Sequence, residues 1–225
     1  MSDRSRFTFQ NNWFELITPD WEKLTTNLGI SKPLRILEIG AFEGASTTWI
    51  LDNLANHPNS TMTVIDTFSG GMEHDPQGTK SLEERFYDNV QKCTNVTKLK
   101  VLKAKSEDAL VNLRASGAQF DFIYIDGSHV AIDVLHDAVL CWHMLALDGT
   151  MVFDDWTWKG YYEHFYNPRM AIMGFLQCVE PEVKTEETES QIWVTRVSNE
   201  TVPTKNEDPS LMYWDRNERF MVSGM

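Results

Sequence analysis

Downstream of Pro33 the apolar residues fall into short dense blocks separated by longer amphipathic stretches. Leu34 to Ile39, Met62 to Ile65, Leu99 to Leu102, Phe120 to Ile125 and Thr150 to Phe153 are compact runs rich in Ile, Val, Leu and Phe. Runs of that length, bounded by glycine or polar residues, predict strands buried on both faces, as in parallel sheets. The intervening stretches carry apolar residues at helical spacing: Ala45 to Leu54, Leu82 to Gln91, Glu107 to Leu113 and Ala131 to Leu145. A further helix is predicted over Pro168 to Val179, and two further strands, Val183 to Thr188 and Gln191 to Val197, joined by a tight connection. Five strand–helix units followed by a hairpin imply a three-layer α/β/α sandwich. Its sheet would be mostly parallel and seven-stranded, with an antiparallel C-terminal hairpin. Ahead of this, Thr18-Pro19-Asp20 reads as a helix start, with Trp21 and Leu24 on one face and a stop near Gly29. The expected organisation is a helical extension (1–33), the α/β domain (34–198) and a tail (199–225) able to dock or to pair with a second copy as a homo-oligomer.

Composition narrows the functions. With 225 residues, 42% hydrophobic and 24% charged, a core forms without disulfides or a structural metal. The formal charge of −13 disfavours nucleic-acid backbones and anionic membrane surfaces. Cys93, Cys141 and Cys178 are odd in number and widely spaced, so a disulfide framework or cysteine zinc site is not expected. No run approaches the roughly 20 apolar residues of a membrane span. The reading is a soluble, cytoplasmic protein.

In a parallel sheet, ligands bind beyond the carboxyl ends of the strands, where strand order reverses. The residues there carry the candidate chemistry. Leu37-Glu38-Ile39-Gly40-Ala41-Phe42-Glu43-Gly44-Ala45-Ser46 follows the first strand. Its glycines let the backbone approach a ligand, with the free N–H groups of the next helix behind them. Asp66, followed by Thr67 and Phe68, ends the second strand, where an acid accepts hydrogen bonds from both ribose hydroxyls. Lys105-Ser106-Glu107 follows the third, with Ser106 a helix cap or a contact for an adenine ring. Asp126-Gly127-Ser128-His129 ends the fourth strand and Asp154-Asp155-Trp156 the fifth. Asp126, Asp154 and Asp155 suit a hard divalent cation, and His129 a proton acceptor. Each acid also has a plainer reading as a turn or helix cap. His74, His136, His143 and His164 lack a comparable setting. Trp156, Trp158, Tyr161 and Tyr162 crowd the loop after the fifth strand, either as pocket wall or as packing, and residues 68–80 resemble a lid.

LEIGAFEGAST, VIDTF, FDFIYIDGSH and LDGTMVFDDW, in that order, resemble the motifs of class I S-adenosylmethionine-dependent methyltransferases. They are most similar to the type 24 methyltransferase domain, which is related to metal-dependent small-molecule O-methyltransferases. The resemblance implies a Rossmann-like fold, S-adenosyl-L-methionine as cofactor, Mg²⁺, and the hydroxyl of a small molecule as acceptor. Carried over, Glu38, Gly40, Ala41, Phe42, Gly44 and Ser46 form the cofactor turn, and Asp66, Thr67 and Phe68 the ribose edge. Ser106 and Glu107 then lie near the adenine, and Asp126, Gly127 and His129 flank the cofactor. Asp126, Asp154 and Asp155 hold the metal, and His129 and Asp126 handle the proton. Phe42 departs from the family's middle glycine, Asp155 from an asparagine, and the catechol enzymes' lysine has no counterpart. Three other readings remain: a protein or RNA acceptor, a non-catalytic nucleoside-binding module, and a nicotinamide enzyme. The absence of GxGxxG and of a Tyr-x-x-x-Lys couple counts against the last.

Overall fold

The computed structural model describes residues 4–26, 28, 32–71 and 81–198. The elements run α1 (Phe14–Thr25), β1 (Arg35–Ile39), α2 (Ala45–Asn53), β2 (Thr61–Asp66), α3 (Leu82–Val90), β3 (Leu99–Lys103), α4 (Ser106–Ala115) and β4 (Phe120–Ile125). They continue with α5 (Ala131–Trp142), β5 (Leu145–Phe153), α6 (Pro168–Val179), β6 (Val183–Glu187) and β7 (Ile192–Arg196). One seven-stranded sheet has the order β3-β2-β1-β4-β5-β7-β6. Pairing is parallel from β3 to β5 and antiparallel for β7 against both β5 and β6, as the sequence predicts. Strand order reverses between β1 and β4.

The period-two alternation of the strands sorts their side chains to two faces. Ile36, Phe122 and Tyr124 join one cluster with residues of α1, α2 and α3; Leu37, Ile39, Ile123 and Ile125 join the other, with α4, α5 and α6. Trp21, wholly buried, is the centre of the first. Its ring meets Phe14, Trp49, Phe122, Tyr124 and Trp193 edge to face, with centroids 4.8–5.6 Å apart. The N-terminal helix therefore shares the core of the sheet.

Several boundaries differ from expectation. Helix α1 begins at Phe14, upstream of Thr18, and Pro19 lies inside it. Burial of Phe14 against Trp21 and Trp49 outweighs the backbone bond that Pro19 removes, and the Thr18 hydroxyl bonds back to the Phe14 carbonyl at 3.0 Å. The expected stop at Gly29 lies outside the described residues. Helix α5 ends at Trp142, three residues early, because Leu145 already pairs with Phe120 in the sheet. Asp148, with φ 60°, and Gly149 make a bulge within β5 where a turn was expected. Ser106 is the first residue of α4, and Lys105 the cap position. The expected tail and residues 72–80 of the expected lid also lie outside the described residues.

Truncating the aromatic centre tests this packing. Trp21→Ala is expected to destabilise the fold by about 3–5 kcal/mol, the cost of emptying a fully buried aromatic site, read as a lower midpoint in urea denaturation.

Candidate active site

The ends of β1 and β4 approach so closely that only glycine fits between them. Gly40 has φ +79°, and a Cβ there would lie 1.9 Å from the Asp126 carbonyl oxygen. Its N–H bonds to Ile65 O at 2.9 Å, and Asp126 N–H bonds to Ile39 O at 2.8 Å. The reversal point opens into a cleft of about 1170 Å³. The cleft is walled by the turn after β1, the ends of β2, β4 and β5, the start of α4, and residues of α1 and its approach, among them Trp13, Leu16 and Ile17.

Asp66 organises one side of this cleft. Its Oδ2 accepts the N–H groups of Ala41 (2.7 Å) and Phe42 (3.0 Å), and its Oδ1 that of Phe68 (2.6 Å). The acid thus shapes the turn as well as lining the cleft. Phe42 stands where the resemblance implies a glycine, and it keeps glycine's backbone, with φ 47°. That left-handed conformation costs an L-residue about 1–2 kcal/mol. The bond to Asp66 and the contact of its ring with Trp13, 5.7 Å between centroids, hold it there.

The opposite side carries the acids. Among the described residues, Asp126, His129 and Asp155 form a ligand group whose atoms lie within 4.8 Å of one another. His129 Nε2 is 3.4 Å from Asp155 Oδ2, and its ring packs on Trp158 at 4.7 Å. Asp154 is held differently: its Oδ1 accepts from Gln191 Nε2 at 2.5 Å and from the Tyr124 hydroxyl at 2.7 Å. The same hydroxyl is 3.1 Å from Asp126 Oδ2. Burial, then the neighbouring charges of Asp154 and Asp155, push the Asp126 carboxyl well above its ordinary range; burial also raises Asp154. Burial next to Asp126 and Asp154 keeps Tyr124 a neutral phenol. Two carboxylates and an imidazole, with a third carboxylate beside them, fit a divalent cation, which would offset that mutual repulsion.

Of the residues expected from the sequence, Gly40, Ala41, Phe42, Ser46, Asp66, Thr67, Ser106, Glu107, Asp126, Gly127, His129, Asp154 and Asp155 all line this one cleft. Glu38, Gly44 and Phe68 are placed elsewhere. Glu38 is wholly buried and takes the hydroxyls of Ser46 and Thr47, the latter at 2.6 Å, fastening β1 to the start of α2. Gly44 caps that helix with φ 83°. Phe68 is buried against Phe86 at 5.0 Å. Trp158 and Tyr161 line the cleft, Trp156 is buried, and Tyr162 points to solvent.

Sequence reasoning missed four contributors: Trp13, Tyr124, Asp137 and Gln191. Tyr124 had a signal, since it sits two residues before Asp126 on the same face of β4. Asp137, buried in the cleft wall from α5, has its carboxyl pushed up to about 7, chiefly by burial. It breaks the apolar face of an amphipathic helix, which was a readable sign.

The chain belongs to the methyltransferase-domain family whose model matches residues 37–156. No curated protein sequence matches it. Several solved structures share the fold. The mycinamycin-pathway methyltransferase MycE, solved with Mg, SAH and mycinamycin VI, has a TM-score of 0.57 at 15% identity, over 89% of this chain and 53% of its own. This chain therefore spans about half the length of MycE. The O-methyltransferase TomG from Streptomyces achromogenes, in complex with SAM, has a TM-score of 0.58 at 17% identity over 80% of each chain. A protein described as an O-methyltransferase from Klebsiella pneumoniae gives 0.59 at 14% identity, again over 80% of each. At these identities the likeness establishes the fold.

Glu38 gives the fold a pH signature. Its folded carboxyl is pushed up to about 8 by burial, against 4.5 when unfolded. The folded state holds the proton more tightly, so this contribution is complete below the unfolded value and is lost as pH rises from about 4.5 to about 8. The melting temperature is expected to fall over that window, and Glu38→Gln, which cannot ionise, to flatten the fall in thermal scans.

Proposed function

We propose that this protein is an S-adenosylmethionine-dependent methyltransferase that methylates a hydroxyl of a small molecule with the help of a divalent cation, Mg²⁺. The observation that carries the reading is a single cleft shared by two sites. The Asp66-organised turn lies on one side of the Gly40–Asp126 contact and the acid cluster on the other. A nucleoside held by the first would share the cleft with a group held by the second.

The turn supplies close backbone approach at Gly40 and a carboxylate at Asp66 for the ribose hydroxyls. Ser106 and Glu107, which line the cleft at the start of α4, would flank the base. Asp126 and Asp155, with Asp154 beside them in the cleft wall, would hold the cation, and His129 lies in the same group. When bound, the cosubstrate supplies an electrophilic sulfonium methyl, and the cation anchors and acidifies the acceptor hydroxyl. His129, packed on Trp158 and beside Asp155, would take the hydroxyl proton. Trp13, Leu16, Trp158 and Tyr161 give the acceptor an aromatic and apolar wall, which suits a small organic alcohol or phenol. Methyl transfer needs alignment more than covalent assistance, so a cleft that fixes both partners supplies much of the rate. The relatives solved with Mg and SAH, or with SAM, support this reading, as does the acidic charge, which disfavours an RNA acceptor.

S-adenosylhomocysteine is expected to raise the melting temperature where NAD does not, by the equivalent of about 2.7 kcal/mol at 100 times its dissociation constant. No shift at saturation would remove the reading. Methyl transfer from S-adenosylmethionine to a panel of phenols and vicinal diols should stop in EDTA and return with Mg²⁺. Full turnover by metal-free protein would leave the cofactor site standing and remove the cation, while binding without turnover on any acceptor would favour a non-catalytic module.

A further inference from the structure

Gln191 lies on the tight connection between β6 and β7, one residue before β7 begins. The antiparallel register sets Ile192 opposite Phe153, which carries Gln191 to the level of Asp154. Its side chain is wholly buried. The amide oxygen Oε1 accepts two indole N–H groups, from Trp21 at 2.9 Å and Trp193 at 3.3 Å. Two donors on one atom decide which end of the amide is oxygen, since a flipped amide would set its NH₂ against both. Nε2 is therefore directed at Asp154 Oδ1. The main chain is fixed as well: Thr188 Oγ1 accepts Gln191 N–H at 3.2 Å, and Thr188 N–H donates to Gln191 O at 2.9 Å.

The chemistry matters because Asp154 has a second donor on that same oxygen, the Tyr124 hydroxyl. With both donors on Oδ1, the carboxylate plane is set and the opposite edge, Oδ2, is turned away from them. A packed core does not ask for this. A buried amide is costly unless every partner is present, and an apolar side chain would fill the same space.

We infer that Gln191 is a positioning residue: locked by Trp21 and Trp193, it fixes the Asp154 carboxylate for the divalent cation of the acid cluster. The inference rests on the proposed cation site. It gives the N-terminal helix and the C-terminal hairpin a shared task at the cleft, since each supplies one indole of the lock.

The test uses the full chain and Mn²⁺ alone as probe, followed by electron paramagnetic resonance, with S-adenosylhomocysteine affinity measured in parallel by calorimetry. Gln191→Met keeps the length of the side chain and removes the amide. It is expected to weaken Mn²⁺ binding about tenfold or more, the usual cost of losing a partner that orients a metal-binding group, with S-adenosylhomocysteine affinity unchanged. Trp193→Phe, which removes one of the two indole donors, is expected to show a smaller loss in the same direction. If Gln191→Met does not fold, Trp193→Phe decides alone. Unchanged Mn²⁺ affinity in the folded variants overturns the inference, and so does a parallel loss of both ligands, which is the mark of a purely structural role. Wild-type protein that binds S-adenosylhomocysteine but no Mn²⁺ overturns the cation reading and this inference with it, whereas binding of neither overturns the proposed function.

Discussion

The site depends on one close contact, the passage of Gly40 against the carbonyl of Asp126. A side chain at position 40 would force the ends of β1 and β4 apart. The turn that Asp66 organises and the acids that follow β4 would then no longer share a cleft. Because β1 and β4 are the strands at which sheet order reverses, the helices that follow them leave on opposite faces. That divergence makes the cavity, and the glycine keeps its two walls in register.

Around that contact the protein draws several acids away from bulk water. Glu38, Asp126, Asp137 and Asp154 are all raised by burial, in a chain already carrying a charge of −13. Neutral donors lie against them, among these the hydroxyls of Ser46 and Thr47 on Glu38, and Tyr124 and Gln191 on Asp154. The two arrangements differ in purpose. Around Glu38 the donors close a strand–helix joint away from the cleft. Around Asp154 they orient a carboxylate that lines the cleft beside Asp126 and Asp155, where a cation relieves the repulsion that donors alone leave.

Trp21 ties this polar arrangement to the apolar core. One edge of the indole fills the aromatic cluster beneath the sheet, and its N–H reaches Gln191. Packing and site geometry are thus set by the same side chain. The helix that carries Trp21 also contributes Leu16 and Ile17 to the cleft wall, so the N-terminal segment completes both the core and the cavity.

The sequence by itself determined the sheet, its hairpin and the strand ends at which chemistry gathers, because buried parallel strands need dense apolar runs and their carboxyl ends need glycine and acid. Asp66, Asp126, Asp154, Asp155 and His129 were legible for that reason: each stands just beyond such a run. What the tertiary structure decided were the partners. Glu38 sits in the same motif as Gly40, yet strand alternation turns it into the interior toward Ser46 and Thr47. Phe42 adopts a glycine conformation that its own residue type argues against, held by a bond from the neighbouring strand. Pro19 lies within a helix because Phe14, five residues earlier, gains more from burial than the missing bond loses. Gln191 and Trp21 lie 170 residues apart and meet only through the sheet. Local pattern reports which side chains prefer burial and which turns need glycine; it carries no record of which distant donor will reach a given carboxylate, because that is fixed by strand order and register.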